Sequence, residues 1–133
     1  AYYLFADAIT KSKPIKVFND GNMLRDFTYI DDITEGIVNT MHHTPYAGNE
    51  PPYKIYNIGA SAPAQLLDFI KAIEKELGIK AQKEFLPLQP GDVVSTYADV
   101  SELINDISYK PHTDLHTGVK EFIEWYKNYY TPS

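Results

Sequence analysis

The chain has 133 residues, of which 44% are hydrophobic and 23% are charged, a composition typical of one globular domain. Its net charge of −6 argues against nucleic acid or an anionic membrane as a partner. It contains no cysteine, which excludes disulfides, zinc–thiolate sites and cysteine nucleophiles. We find neither a membrane-spanning apolar run nor a signal peptide, and we therefore expect a soluble cytoplasmic protein.

Hydrophobic spacing, caps and turn residues predict helices that alternate with strands. In chain order, the prediction begins with a helix over 1–12 that Pro14 ends, a strand over 15–18, a turn at 19–22, a strand over 27–30, and a helix to Met41 capped by Asp31 or Asp32. It continues with a loop over 44–52, a strand over 54–58, a helix from Ser61 to Gly78, a strand over 83–86, and a loop over 88–92. Last come a short helix from Asp99 to Ile104 and a final helix that Thr113 caps. This alternation indicates an α/β fold.

Several catalytic arrangements are absent. No tyrosine has a lysine four residues after it, and the seven glycines are too scattered for a phosphate-binding loop or a dinucleotide fingerprint. No Gly-x-Ser-x-Gly motif occurs. His112 and His116 lie four residues apart without an evident third ligand, so we interpret them as solvated histidines near a helix start.

Two further groups favour structural roles. Asp31 and Asp32 form a carboxylate pair, but at a helix start a carboxylate satisfies free N–H groups and the helix dipole, which favours capping over acid–base work. An aromatic stripe at helical spacing near the end indicates core packing, or a surface that a missing part of the protein covers. Its members are Phe122, Trp125, Tyr126, Tyr129 and Tyr130.

Arg25 is the only arginine among twelve basic residues, and it stands beside a Gly-containing turn just before a predicted strand. Arginine suits two-point recognition of a phosphate, so Arg25 is either a phosphate ligand in a crevice or one half of a surface ion pair. The turn from Gln89 to Asp92 presents an amide and a carboxylate. Asp92 is either an ordinary turn residue or an acceptor for two neighbouring hydroxyls, as a ribose requires.

Read in order, six segments resemble one family. They are Pro14-Ile15-Lys16-Val17-Phe18, Arg25-Asp26-Phe27-Thr28-Tyr29-Ile30-Asp31-Asp32-Ile33, Tyr56-Asn57-Ile58-Gly59, Gln89-Pro90-Gly91-Asp92-Val93, Tyr97-Ala98-Asp99 and Phe122-Ile123-Glu124-Trp125-Tyr126. Together they resemble the C-terminal part of an extended short-chain dehydrogenase/reductase acting on nucleotide sugars, most similar to UDP-glucuronate 4-epimerases. The resemblance runs along essentially the whole chain. It implies a small substrate-binding domain of the NAD(P)-binding Rossmann-like superfamily, without its Rossmann nucleotide domain.

The resemblance assigns binding roles residue by residue. Arg25 matches the family arginine that binds the diphosphate of the UDP-sugar, and Asp92 matches the aspartate that receives the ribose hydroxyls. Gln89 stands where related epimerases often have an arginine, so it contributes by hydrogen bonding alone. Val17 and Phe18 match the strand that lies along the uracil, partly through backbone atoms.

Asn57 matches a position near the phosphates. No catalytic residue is expected within 1–133, because in this family the catalytic tyrosine and lysine and the Gly-rich NAD site belong to the N-terminal domain. The resemblance implies C4 epimerisation through a 4-keto intermediate, with NAD required by the complete enzyme and none bound to this fragment. The chain opens at Ala1 on an uncapped apolar run, so we expect a piece of a longer protein.

The resemblance also implies surfaces and alternatives. We expect the complete enzyme to be a homodimer, and the fragment to be inactive and to self-associate through apolar surface near 27–30 and the helix after it. A second hypothesis is another nucleotide-sugar epimerase, dehydratase or decarboxylase, whose distinguishing residues this chain lacks. A third is a free-standing nucleotide-binding or protein-interaction module, against which the uncapped start argues.

Overall fold

The computed structural model of the chain describes residues 2–45 and 51–130. The helices are α1 (Tyr2–Thr10), α2 (Ile30–Met41), α3 (Leu66–Leu77), α4 (Ser101–Ile107) and α5 (Leu115–Tyr130). The strands are β1 (Ile15–Phe18), β2 (Leu24–Arg25), β3 (Ala64–Gln65) and β4 (Lys83–Leu86). This mixture confirms the predicted α/β class. None of the helices in the described ranges is long and apolar enough to cross a bilayer.

Two small sheets organise the strands. β1 pairs with β4 in parallel, with Ile15 opposite Lys83 and Phe18 opposite Leu86. β2 pairs with β3 in antiparallel fashion, and its other edge bridges to Ser95 in parallel. The short β2 therefore lies between β3 and the loop that follows β4, and it carries one of the predicted site residues.

The main core forms where α1, α3 and α5 meet β1. Its fully buried members have less than 2% of their surface exposed, and they include Ile9, Val17, Ile70, Ile73 and Ile123. Burying one such side chain contributes about 1.5–3 kcal/mol, so this layer supplies most of the hydrophobic stabilisation. The predicted amphipathic pattern of α3 is confirmed, and the helix ends at Gly78, whose φ of 72° is the left-handed conformation that glycine adopts without strain.

A second, smaller cluster lies around α4. Val100, Leu103, Ile107 and Tyr109 are buried there, and Tyr56, Ile58 and Ala98 pack against them. The side chain of Tyr109 donates a hydrogen bond to the backbone carbonyl of Asp32 at 2.8 Å, which joins the cluster to α2. Burial raises the pKa of Tyr109 to about 12, so its hydroxyl stays protonated and remains a donor at any physiological pH.

One buried carboxylate joins α3 to β4. Glu74 is 4% exposed. Its Oε1 accepts hydrogen bonds from the backbone N–H of Ala81, at 2.9 Å, and from the ammonium of Lys83. Its Oε2 accepts from Lys80 at 3.2 Å. Three donors thus surround the charge, as a buried carboxylate requires. The sequence analysis did not predict this role for Glu74.

Two of the predicted strands were wrong. Residues 27–30 form no ladder, and α2 already begins at Ile30. Residues 54–58 likewise make no ladder with the strands that the structure describes, although their alternating pattern is strand-like. A strand needs a neighbour to satisfy its backbone groups, and the alternation of side chains does not say whether one is present. The other two predictions, 15–18 and 83–86, are confirmed as β1 and β4.

The predicted cap of α2 was also wrong. The cap position is Tyr29, so Asp31 and Asp32 lie inside the first turn, where a carboxylate still interacts favourably with the helix dipole. Asp32 is 2% exposed and its Oδ2 accepts a hydrogen bond from the backbone N–H of Thr113 at 3.0 Å. A long-range contact therefore replaces the local one that the sequence predicted.

Three other helix starts differ from the prediction. Ser61 does not cap α3, which begins five residues later at Leu66. Thr113 does not cap α5, because the Oδ1 of Asp114 accepts the N–H groups of His116 and Thr117 at 2.9 and 3.1 Å. The short helix α4 runs from Ser101 to Ile107 rather than from Asp99 to Ile104. At the chain start, α1 covers Tyr2–Thr10 of the predicted 1–12, and part of the predicted 44–52 loop, residues 46–50, lies outside the described ranges.

The aromatic stripe of α5 is divided between the core and the surface. Tyr126 is buried against α1, whereas Trp125 and Tyr129 stack on each other at 5.5 Å and are 50% and 67% exposed. The core interpretation is therefore confirmed for Tyr126, and the covering of the exposed members by another part of the protein stays a prediction.

Candidate functional site

The strand β2 places Arg25 at the surface end of a short three-segment ladder. The backbone N–H of Leu24 donates to the carbonyl of Val94 at 2.9 Å, and the N–H of Thr96 donates to the carbonyl of Leu24 at 3.2 Å. The Nη1 of Arg25 donates to the same two carbonyls, of Leu24 at 2.9 Å and of Val94 at 3.2 Å. These bonds hold the guanidinium in one orientation across the loop that follows β4.

That orientation brings Arg25 to Asp92. The Nη2 of Arg25 lies 2.9 Å from the Oδ1 of Asp92, and the two side chains are 23% and 32% exposed. The same Oδ1 accepts the backbone N–H of Val93 at 2.9 Å. The structure thus joins the two residues on which the sequence hypothesis depends, 67 positions apart. It also forms the ion pair that the alternative interpretation of Arg25 expected, with Asp92 as the acid.

The turn before Asp92 has the expected shape. Gly91 has a φ of 84°, and the N–H of Asp92 donates to the carbonyl of Gln89 at 3.1 Å. Gln89 is exposed, so its amide is available to a ligand beside the Arg25–Asp92 pair. Further along the chain, hydrogen bonds from the hydroxyl and backbone N–H of Ser101 lower the pKa of Asp99.

The two residues of β1 differ in what they offer. The side chain of Val17 is fully buried in the core, whereas that of Phe18 packs against the core and is partly exposed. The N–H of Ile15 donates to the carbonyl of Gln82 at 2.8 Å, toward β4. Because alternate residues of a parallel strand direct their backbone groups to the same neighbour, those of Val17 also face β4 and those of Phe18 face away.

Asn57 is engaged elsewhere. Its Nδ2 donates to the backbone carbonyl of Asp99 at 3.1 Å, which joins the 54–58 segment to the start of α4. This contact does not bring the Asn57 side chain to the Arg25–Asp92 pair.

A separate groove of about 490 Å³ opens between the start of α2 and α5. Its walls are mostly apolar and include Phe27, Tyr29, Ile33, Phe122 and Trp125. Neither Arg25 nor Asp92 lines it, so this groove is distinct from the candidate site. Arg25 and Asp92 instead lie together on a surface ledge beside β2.

The histidines form no metal site. The Nδ1 of His112 lies 3.4 Å from the Oδ1 of Asp32, and the backbone N–H of His116 donates a hydrogen bond to the Oδ1 of Asp114. Within 2–45 and 51–130 we find no group of three or more side chains that could hold a metal ion. The side chains of His112 and His116 are both exposed, as the interpretation of solvated histidines near a helix start expects.

Sequence reasoning missed Asp26, the residue next to Arg25. Its Oδ2 accepts the backbone N–H groups of Ser61 and Ala98 at 3.1 and 3.0 Å, and its Oδ1 accepts that of Ala62 at 3.3 Å. Its own N–H donates to the hydroxyl of Thr96 at 3.0 Å. The position of Asp26 inside the Arg-Asp-Phe block was the available signal, but nothing in the spacing shows which distant N–H groups it meets.

Gly59 makes this junction possible. A Cβ at Gly59 would lie 2.4 Å from the Cβ of Ala98, closer than real atoms approach. We expect Gly59→Ala to lower the free energy of unfolding by about 1–2 kcal/mol, the usual cost of overpacking, as measured by urea denaturation. Ala98→Gly in the same chain removes the clashing methyl group and should restore part of that loss. A double variant no more stable than Gly59→Ala would contradict the steric explanation.

Comparisons with known proteins show which families this chain is similar to. Residues 2–59 match the model of the NAD dependent epimerase/dehydratase family. The chain is 44% identical over 142 aligned residues to Protein CapI of Staphylococcus aureus, covering 98% of this chain and 42% of that protein. It is 38% identical to UDP-glucuronate 4-epimerase 1 of Arabidopsis thaliana, covering 98% of this chain and 33% of that protein.

A solved structure shares the fold. The crystal structure of UDP-glucuronic acid 4-epimerase from Bacillus cereus, in complex with UDP-glucuronic acid and NAD, superposes with a TM-score of 0.83 and 32% identity, over 98% of this chain and 40% of that one. The chain thus spans about two fifths of the length of the relatives that it matches. The 133-residue chain is therefore related to the NAD dependent epimerase/dehydratase family and corresponds to a partial segment of its nucleotide-sugar epimerases, with UDP-glucuronate 4-epimerases among its relatives.

Proposed function

We propose that residues 1–133 form the C-terminal, substrate-binding portion of an NAD-dependent nucleotide-sugar epimerase whose substrate is UDP-glucuronate, epimerised at C4. The observation that carries this proposal is the contact between Arg25 and Asp92, 2.9 Å apart on one ledge. A diphosphate and the ribose next to it are covalently joined, so their ligands must be neighbours. The relationship to UDP-glucuronate 4-epimerases supports the choice of substrate.

Arg25 is the proposed diphosphate ligand. Its Nη1 is held by two backbone carbonyls, which fixes the plane of the guanidinium before a ligand arrives. The remaining N–H groups can then form charge-assisted hydrogen bonds to phosphate oxygens without losing further side-chain freedom. On this proposal the diphosphate competes with Asp92 for Nη2, and the ion pair loosens when the nucleotide binds.

Asp92 is the proposed ribose ligand. Both hydrogen bonds that the structure gives its carboxylate fall on Oδ1, from Arg25 and from Val93. Oδ2 is the oxygen that we assign to the ribose hydroxyls, since a carboxylate oxygen accepts two such bonds. Gln89 is exposed three residues before Asp92, and we assign it a hydrogen bond to the same nucleotide.

The uracil is proposed to bind along the open edge of β1. The backbone N–H and carbonyl of Phe18 face away from β4, and uracil presents one N–H donor between two carbonyl acceptors. The side chain of Val17 is buried, so we assign Val17 no direct contact with the uracil; it holds the neighbouring backbone of Phe18 in place. For Asn57 to bind near the phosphates, its Nδ2 must exchange the hydrogen bond to the carbonyl of Asp99 for one to the ligand.

NAD is not assigned to these residues. The chain has no Gly-rich loop that could hold a dinucleotide, so the residues present do not fit the cofactor. We propose that the complete protein binds NAD, and carries its catalytic residues, in an N-terminal domain outside this chain. The extended segment 54–58, which lacks a β-partner among the described residues, supports a missing neighbour of this kind.

This division of labour predicts what the isolated chain does. We expect no conversion of UDP-glucuronate and no NAD binding, because the fragment lacks the cofactor site, and weak binding of UDP, because part of the pocket is absent. Turnover assays and calorimetry with NAD test the first two expectations. Titration of the ¹⁵N-labelled chain with UDP, followed by NMR, tests the third through the amides of Phe18 and Val93. Epimerisation or NAD binding by the chain alone would contradict the proposal.

An open apolar face predicts self-association of the fragment. On α2, Ile37, Val38 and Met41 are 49%, 47% and 76% exposed, which agrees with the apolar surface expected beside residues 27–30. We expect sedimentation to show a concentration-dependent dimer, weakened by Met41→Glu. The same change at Ile79, an exposed residue beyond the end of α3, is the matched control and should leave association unchanged. A monomer throughout the micromolar range would contradict the expectation.

We further propose that the complete protein is a cytoplasmic homodimer, which size-exclusion chromatography and cell fractionation test. The alternative is another nucleotide-sugar epimerase or a dehydratase. The structure of UDP-glucose 4-epimerase from Bifidobacterium longum, 25% identical with a TM-score of 0.82, is one epimerase with a similar fold and a different sugar. Turnover of UDP-glucuronate against UDP-glucose by the complete protein separates these possibilities.

A further inference from the structure

Asp26 connects three segments of the chain that are distant in sequence. Its carboxylate accepts N–H groups from residues 61 and 62 on one segment and from residue 98 on another. The hydroxyl of Thr28, two residues further on, accepts the N–H of Ala60 at 3.1 Å and adds to the same junction. A side chain that organises three backbone N–H groups is expensive to replace, because an amide at that place cannot accept all three bonds.

The junction lies directly beside the candidate site. Asp26 follows Arg25, the last residue of β2, and its backbone N–H donates to the hydroxyl of Thr96, four residues after Asp92. The loop after Asp92 is also joined to Leu24, whose N–H donates to the carbonyl of Val94 and whose carbonyl accepts the N–H of Thr96. Any shift of the 94–98 segment relative to β2 therefore moves Asp92 relative to Arg25.

We propose that Asp26 is a positioning residue: its carboxylate and its backbone N–H together hold segments 59–62 and 94–98 against the end of β2 and thereby set the distance between Arg25 and Asp92 for nucleotide binding. Asp26 does not itself contact the ligand. The inference rests on the proposed function for the role of Arg25, and it adds a residue whose effect on binding acts entirely through its neighbour.

The test is a double-variant cycle in this chain. UDP affinity is measured by NMR titration for the natural chain, Asp26→Asn, Arg25→Ala and the double variant. We expect Asp26→Asn to weaken UDP binding about three- to tenfold when Arg25 is present, and less than about twofold when Arg25 is already alanine. A merely structural role would lower affinity equally in both backgrounds, and that result overturns the proposal.

A second readout needs no ligand. In the free chain, the hydrogen bonds of the Arg25 guanidinium should give slowly exchanging, resolved Nη signals, which Asp26→Asn should broaden or collapse. If these signals are unchanged, the proposal is overturned even if UDP binds. If they collapse while Arg25→Ala has no effect on UDP affinity, the proposed function fails and the positioning of Arg25 by Asp26 stands.

Two further variants keep the test decisive. Thr96→Val removes the acceptor of the Asp26 N–H with little change in shape, so it serves if Asp26→Asn does not fold, and it should show the same dependence on Arg25 with a smaller loss. Equal losses in both backgrounds for Thr96→Val overturn the proposal. Asp20→Asn is the matched control at an exposed aspartate in the 19–21 turn, where a φ of 51° suits asparagine, and it should change neither readout.

Discussion

Replacing Arg25 with alanine in the complete protein raises the apparent substrate constant for UDP-glucuronate at least about tenfold, because loss of a charge-assisted hydrogen bond costs about 1.5–3 kcal/mol. The guanidinium is held by two carbonyls and Asp92 before the ligand binds, so little binding energy is spent on ordering it. Steady-state kinetics with UDP-glucuronate measure the effect. Arg25→Lys keeps the charge but not the planar donor pair, and it should give an intermediate loss.

Controls separate binding from folding. Arg25 also supports the ladder between β2 and the loop after β4, so urea denaturation must show that the alanine variant remains folded under assay conditions. Lys16→Ala removes an exposed cation from β1 and should leave the substrate constant unchanged. An unchanged constant for Arg25→Ala would mean that the contact with Asp92 is a surface ion pair without a part in substrate binding.

The sequence identified Arg25 as a candidate ligand, but it did not identify the residue that Arg25 contacts. A single arginine among eleven lysines is visible in one chain, and a turn aspartate is a local feature. Their contact joins residues 67 positions apart, and it depends on how the loop after β4 runs beside β2. Spacing along the chain carries no information about that parallel alignment, so only the family resemblance brought the two residues into one hypothesis.

The errors in the predicted elements have a common cause. Alternating side chains predicted strands over 27–30 and 54–58, but a ladder requires a partner, and none is present among the described strands. Polar residues predicted caps at Ser61 and Thr113, yet the N–H groups of both residues are bound by distant carboxylates, those of Asp26 and Asp32. Periodicity predicted the amphipathic helices well because it reports a local property of the helix face.

Glu74 is expected to make the protein less stable at acid pH. Burial alone would raise the pKa of this carboxyl, but hydrogen bonds from Lys83, from the backbone N–H of Ala81 and from Lys80 outweigh burial and lower it from 4.5. A group whose pKa is lowered in the folded state stabilises the protein fully above its unfolded pKa. That contribution is lost as the pH falls from about 4.5 through the lower folded value.

Glu74→Gln should therefore lower the free energy of unfolding by about 1.5–3 kcal/mol at neutral pH, since the amide keeps the volume but loses the charge-assisted bonds. The difference from the natural chain should shrink as the pH falls from about 4.5 through the lower folded pKa, because both side chains are neutral only below that folded value. Asp68→Asn is the matched control, an exposed carboxylate on the same helix paired with Lys71 at 2.8 Å, and it should cost no more than about 1 kcal/mol. Urea denaturation across pH measures all three chains, and equal losses for the two variants would show that burial gives Glu74 no special weight.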